Sequence, residues 1–207
     1  MTRRPDHEAL VIVDLQPDFF PGGPLAVSGA DALPALVNAR MAEFGTVVAT
    51  QDWHPADHGS FAAAHPGLSP GDQIVLHGLQ QTLWPTHCVQ GTPGAALHPA
   101  LDASGITRVF QKGQDATVDS YSGFFDNGGR RPTGLADYLR ARGVRALTVV
   151  GVATDYCVRF TALDALKLGF AVTLLPELCR GVELRPGDVA AALAELAAAG
   201  AQIGEAR

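Results

Sequence analysis

The sequence predicts an α/β protein, a three-layer α/β/α sandwich of Rossmann-like type. Its sheet is mostly parallel, with five to six strands and helices on both faces. Three observations predict it. Short apolar or β-branched runs alternate with Ala/Leu-rich stretches of helical length, the βαβα pattern of a parallel sheet. Right-handed crossovers between such units give a doubly wound sheet. The 207 residues, 47% apolar and 17% charged, suffice for one globular domain with a sizeable core.

Taken in order, the strands are Ala9–Val13, Thr46–Thr50, Arg108–Gln111, Arg145–Val150 and Ala171–Leu175, with Gln202-Ile203 as a short sixth. The helices are Asp31–Phe44, Gly134–Arg142, Asp155–Leu168 and Pro186–Ala199. The segment from Gln51 to Thr107 breaks the alternation. It holds both tryptophans and most of the histidines, with little helical periodicity and one candidate strand at Gln73–Leu76. A long irregular insertion in a compact domain is usually functional. The organisation read here is therefore one domain, residues 1–207, with an irregular insertion at about 51–107.

Several function classes are disfavoured. The net charge is −6, and basic clusters reach no further than pairs such as Arg130-Arg131, which argues against nucleic-acid binding. No apolar run approaches the roughly 18 to 20 residues of a membrane helix. Nor does a signal-type apolar stretch follow the charged first eight residues. Three widely spaced cysteines, Cys88, Cys157 and Cys179, argue against a disulfide framework and for a reducing cytoplasm. Val13-Asp14-Leu15-Gln16 follows the first strand in place of Gly-x-Gly-x-x-Gly, so no dinucleotide cofactor is indicated.

Three polar residues stand at the carboxyl ends of predicted strands: Asp14, Lys112 and Cys157. In a parallel sheet those ends share one edge, where ligands bind, so the three can converge. Cys157 also opens a helix, where unpartnered N–H groups and the helix dipole favour a thiolate. An aspartate beside it can accept the thiol proton and later deliver it to a leaving group. Each residue also has a bland reading: a core cysteine, a turn-capping carboxylate, a solvated lysine. Their joint placement favours a site.

A second constellation is Asp52-Trp53-His54-Pro55-Ala56-Asp57-His58. In extended chain Asp52 and His54 point the same way, and a carboxylate with imidazoles suits Zn²⁺, Fe²⁺ or Mn²⁺. Further ligands can come from His58, His65 or His87, although a lone loop histidine is more often a surface residue. Phe19, Trp53, Trp84 and Tyr121 fall outside periodic faces. They either wall a pocket for a flat ring or pin the insertion.

Six segments in order carry a resemblance. They are Val13–Phe19, Gln51–His58, Trp84–Thr92, Lys112-Gly113, Asp119–Phe124 and Gly151–Val158. Over about Leu10 to Leu178 the chain resembles the isochorismatase-like cysteine hydrolases, and within them the nicotinamidase/pyrazinamidase family. The resemblance implies deamidation of nicotinamide to nicotinate and ammonia, in NAD salvage, through a thioester on the enzyme. It places the catalytic aspartate, lysine and cysteine on Asp14, Lys112 and Cys157. One divalent metal falls on Asp52, His54 and His87, and His58 stands where some members have an additional ligand. A cis peptide is implied at Val152–Ala153, turning the Ala153 N–H toward the same point as the Cys157 N–H to form an oxyanion hole. Phe19, Trp84 and Tyr121 are the implied contacts to the substrate ring, which the metal orients. Isochorismatases of this fold lack the metal set, so its presence favours the amidase branch. The alternatives are a hydrolase of another small amide and a non-catalytic metal- or ligand-binding protein. Metal identity and self-association into a homo-oligomer are left open by the sequence.

Overall fold

The computed structural model describes residues 3–204. Its elements are β1 (Glu8–Val13), α1 (Leu33–Met41), β2 (Thr46–Asp52), β3 (Gln73–Leu76), β4 (Leu79–Thr82), β5 (Arg108–Lys112), α2 (Leu135–Ala141), β6 (Ala146–Val152), α3 (Arg159–Lys167), β7 (Ala171–Arg180), α4 (Asp188–Ala198) and β8 (Gln202–Ile203). Six strands form one sheet in the order β5-β2-β1-β6-β7-β8, every neighbouring pair parallel. The α/β fold class and the six-stranded count expected from the sequence are both present. Among the described residues no helix is long and apolar enough to cross a membrane.

The central strand β1 shows why the apolar runs are so dense. Ala9, Val11 and Val13 enter one core cluster, with Leu135 and Leu139 of α2, Ala162 and Ala165 of α3 and Leu196 of α4. Leu10 and Ile12 enter the other, with Leu33, Val37 and Met41 of α1 and the loop residues Phe19, Phe20 and Leu101. Side chains alternate between faces along a strand, so a strand covered on both faces is apolar at every position. One face is closed by three helices. The other is closed by α1 and by irregular chain, partly from the long insertion.

Several elements differ from expectation. The helix expected over Asp31–Phe44 begins as a 3₁₀ turn, Ala30–Ala32, and is α-helical over Leu33–Met41. The helix expected from Asp155 opens with a π-helical turn, Thr154–Val158, before α3. β7 runs to Arg180, five residues beyond the expected Leu175. Pro176 argues against a continuing ladder there, but the β6–β7 register shifts between Val149 and Gly151 and pairing resumes at Gly151 with Cys179. β4, which the sequence reading missed, pairs antiparallel with β3 in a separate hairpin. Its sequence, Leu-Gln-Gln-Thr, is too polar and too short to read as a strand.

The strand order reverses between β1 and β6. From β1 the chain proceeds through β2 to β5 on one side, and from β6 through β7 to β8 on the other. Ligands of open α/β sheets bind at such a switch point. Both strands leave it sharply. Asp14, just past β1, has a φ of +50°, a left-handed conformation that aspartate tolerates better than most residues. Gly151 pairs with Val13 at a φ of +122°, and a Cβ there would lie 2.1 Å from the Val13 carbonyl oxygen. Gly151→Ala therefore forces strain and a backbone clash at the centre of the sheet. We expect it to cost about 3 kcal/mol or more in urea unfolding. A loss below about 1 kcal/mol would contradict this account of the crossing.

Candidate active site

Four neighbouring strands each deliver one polar group to the same edge of the sheet. Lys112 and Asp52 are the last residues of β5 and β2 and lie opposite each other in register. Asp14 follows β1, and Cys157 lies in the turn after β6. Strands about 4.8 Å apart place such groups within contact of one another. The structure brings together all three residues that the sequence placed at strand ends, and adds Asp52 to them.

Lys112 is the hub. Its Nζ lies 2.8 Å from Asp14 Oδ2, 2.5 Å from Asp52 Oδ1, 2.9 Å from the Ser120 carbonyl and 3.4 Å from Cys157 Sγ. The lysine and both aspartates are buried. Burial disfavours the ammonium, but the two carboxylates more than offset it and hold Lys112 well above the ordinary lysine range. Burial also pushes Asp52 up, yet Lys112 and then His54 outweigh it and keep Asp52 well below the usual carboxylate range. Asp14 goes the other way: burial dominates the pull of Lys112, and its affinity for a proton is raised. Asp14 Oδ1 accepts a hydrogen bond from Thr50 Oγ1 at 2.6 Å, whereas Oδ2 faces the Lys112 ammonium at 2.8 Å.

Cys157 sits in the π-helical turn, and the Val152–Ala153 peptide before that turn is cis. Asp155 anchors the turn by accepting the backbone N–H groups of Val182 and Glu183 at 3.0 and 2.7 Å. The sequence expectation of an acidified thiol is reversed. Burial pushes the Cys157 thiol well above its ordinary value, and Asp14 and Asp52 add to this against the pull of Lys112. The helix-start position is outweighed by the desolvation around it, so the thiol keeps its proton while Asp14 stands ready to accept one.

Beside this cluster, Asp52, His54 and His87 bring their ligand atoms within 4.8 Å of one another. Two carbonyls orient the imidazoles. His54 Nδ1 donates to Gly113 O at 2.9 Å, and His87 Nδ1 to Pro85 O at 2.8 Å. A carbonyl only accepts, so Nδ1 carries the proton in both rings and each Nε2 presents a lone pair. Both Nε2 atoms lie 3.7 Å from Asp52 Oδ2. Asp52 thus divides its carboxylate, Oδ1 to Lys112 and Oδ2 to the histidines. Gly113 is required beside His54: its φ is +66°, and a Cβ there would lie 2.4 Å from His54 Cε1. Gln16 holds the Asp52 main chain from both sides, at 2.8 Å to its carbonyl and 2.8 Å from its N–H.

His58 joins the group. Its ring centroid is 4.4 Å from that of His54, its Nδ1 is 2.7 Å from Ser60 Oγ, and its buried Nε2 has no hydrogen-bond partner. A buried orphan imidazole nitrogen facing two oriented neighbours fits a divalent-metal site of nitrogen and oxygen donors. His65 is not part of it, since its Nε2 is bonded to Gly59 O at 2.7 Å.

Cys157, Asp52, His54 and His87 line one pocket. Its walls include the expected Phe19, Trp84 and Tyr121, together with Leu25, Asp119, Tyr156 and Val182, which sequence reasoning missed. Trp84 and Tyr156 meet edge to face at 4.8 Å, and Trp84 Nε1 donates to Tyr121 Oη at 3.2 Å. Trp53 lies outside this pocket and packs on the α1-side core. Tyr156 could have been suspected as the neighbour of Cys157. Leu25 and Val182 carry no such signal.

Comparison with known proteins follows the same lines. Residues 8–207 match the isochorismatase domain family. The chain is 51% identical over 199 residues to the nicotinamidase of Escherichia coli (strain K12), covering 94% of this chain and 93% of that protein. A solved Acinetobacter baumanii nicotinamidase/pyrazinamidase superposes with a TM-score of 0.95 at 43% identity, covering 98% of each chain. PnC1 from L. infantum, in complex with nicotinate, gives 0.85 at 41% identity, covering 99% of this chain and 96% of that one. Pyrococcus horikoshii pyrazinamidase, in complex with zinc, gives 0.78 at 39% identity, covering 97% and 99%.

The charge arrangement generates a stability prediction. Lys112→Met leaves Asp14 and Asp52 buried without their cation, which should cost about 3–5 kcal/mol at neutral pH. In that variant Asp14, already raised by burial, loses the lowering pull of Lys112, so its folded pKa stands further above its unfolded one and the native state binds that proton more tightly than the unfolded chain. The deficit should then shrink as pH falls from 7 toward 5. Urea unfolding at the two pH values tests this, and an equal deficit at both would contradict it.

Proposed function

The chain belongs to the isochorismatase family, and from that premise we propose that it is a nicotinamidase, a hydrolase converting nicotinamide to nicotinate and ammonia. Pyrazinamide, a flat heteroaromatic amide of similar size, is its second substrate. The observation that carries this reading is the opening of Cys157 and the Asp52, His54 and His87 group onto one aromatic-walled pocket. The 51% identity to a nicotinamidase over nearly the whole chain supports it. We read the chain as one hydrolase domain, with the irregular segment at about 51–107 as its metal-binding part. The free cysteines suit a reducing cytoplasm.

Cys157 is the nucleophile and Asp14 the base. The thiol proton passes to the Asp14 carboxylate as sulfur attacks the carboxamide carbon, and the C=O electron pair moves onto oxygen. The backbone N–H groups of Ala153 and Cys157 hold that oxyanion. Collapse breaks the C–N bond, and the departing amine takes the proton from Asp14 and leaves as ammonia. Asp14 then accepts a proton from the water that attacks the thioester, and returns it to sulfur as the C–S bond breaks and nicotinate departs. Lys112 stays protonated throughout, offsetting whichever of Asp14 and Cys157 is negative. Phe19, Trp84 and Tyr121 hold the ring.

Asp52, His54 and His87 would hold a divalent transition-metal ion, Zn²⁺, Fe²⁺ or Mn²⁺, with His58 as a further ligand. When bound, the ion would supply a Lewis acid beside the substrate ring.

Cys157→Ala should abolish ammonia release from nicotinamide while leaving the circular dichroism spectrum unchanged, and Asp14→Asn should lower kcat by roughly 10²–10⁴. Because burial raises Asp14, its basic form is lost at a higher pH than for an ordinary carboxylate. The acidic limb of kcat/KM should therefore lie at higher pH than an ordinary carboxylate would place it. Full activity in either variant would refute the assignment. Stripping the metal with a chelator should remove activity, and added Zn²⁺, Fe²⁺ or Mn²⁺ should restore it. Undiminished turnover in protein shown by elemental analysis to be metal-free would refute the metal's role.

A further inference from the structure

We propose that Asp119 belongs to the metal pocket, as a second carboxylate facing the ion directly or through one bound water. This rests on the reading above that Asp52, His54 and His87 hold a divalent ion. Asp119 lies in the loop after β5 and is 3% exposed. Its Oδ1 accepts from the Ser120 N–H at 2.7 Å and its Oδ2 from Gln81 Nε2 at 3.1 Å. Among the described residues it forms no ion pair with a lysine or arginine.

Two independent observations direct this carboxylate toward a cation. The first is geometric. The ligand atoms of His54, His58 and Asp119 lie within 4.8 Å of one another, and His54 is shared with the Asp52–His54–His87 group. His54 Nδ1 is committed to the Gly113 carbonyl, so one lone pair, on Nε2, serves both groups. A single ion therefore satisfies them, rather than two. His58 Nε2, buried and without a partner, belongs to the group that contains Asp119.

The second is charge. The buried cluster holds three carboxylates, Asp14, Asp52 and Asp119, against one ammonium, Lys112. The carboxylates outnumber the ammonium by two charges, which matches one divalent cation. Without Asp119 the ion would leave the cluster one charge too positive. Buried charges persist where they are compensated, and Asp119 completes that compensation.

Asp119→Asn keeps the shape of the side chain and removes its charge. Zn²⁺ affinity, measured by chelator competition, should fall at least tenfold relative to the unsubstituted protein. The melting temperature of the metal-free variant should equal or exceed that of the metal-free parent, because an uncompensated buried charge has been removed. A merely structural aspartate would lower it. Zn²⁺ affinity within twofold of the parent overturns the proposal. Should the variant fail to fold, diffraction from crystals of the Zn²⁺-loaded parent decides. An Asp119 oxygen about 2.2 Å from the ion, or sharing one bound water with it, supports the proposal. A carboxylate directed only at Ser120 and Gln81 overturns it. A parent protein that takes up no Zn²⁺ overturns the metal reading and this inference together, whereas tight parental binding with an unchanged Asp119→Asn overturns this inference alone.

Discussion

One buried ammonium group ties the functional end of the sheet together. Lys112 reaches from the end of β5 to Asp52 on β2, Asp14 after β1 and Cys157 after β6. An ammonium withdrawn from water needs counter-charges and acceptors nearby. Here it has two carboxylates and the Ser120 carbonyl. The carboxylates need the lysine equally, so each ion's burial depends on the other strands being in register. Asp52 extends the dependence, since its second oxygen faces His54 and His87. The thiol cluster and the imidazole cluster are therefore two sides of one electrostatic unit.

That unit explains the divergent behaviour of chemically identical groups. Asp52, between Lys112 and the histidines, is held in its charged form. Asp14, 2.8 Å from the same lysine but with less support for its charge, is shifted toward accepting a proton. Two carboxylates in different surroundings take different tasks, one as a fixed anion and one as an exchangeable base. The buried thiol completes the pattern, because its proton stays in place until a partner is positioned to receive it.

Much of this was legible in the sequence, for reasons that also explain the gaps. β1, β2 and β6 are almost wholly buried and built around apolar runs, and the edge strand β5 carries the short apolar run Val109-Phe110, so polar residues at the ends of those runs stood out. Asp14, Lys112 and Cys157 were found that way. His87 has no periodic context; the residues alone offered it beside His58 and His65, and only the resemblance of Trp84–Thr92 to a known family singled it out. Asp119 lies in a loop where spacing says nothing about which way a side chain faces. β7 was cut short because Pro176 is a valid stop signal that a register shift overrides. The thiol's acidity was misjudged because a helix start is visible in sequence whereas desolvation by residues from three other strands is not.

The strand order has a consequence for how such a protein can change over time. Each of four adjacent strands contributes a single group at its carboxyl end, and the backbone ladders that set their spacing do not involve those side chains. Exchanging the residue at one strand end therefore leaves the backbone positions of the others where they were, while the charges stay coupled through Lys112. The histidines enter from a separate, irregular stretch that can be rewritten without touching the ladder. The scaffold behaves as a rack whose slots are spaced by the ladder, open to piecemeal replacement of pocket walls while nucleophile and base stay seated.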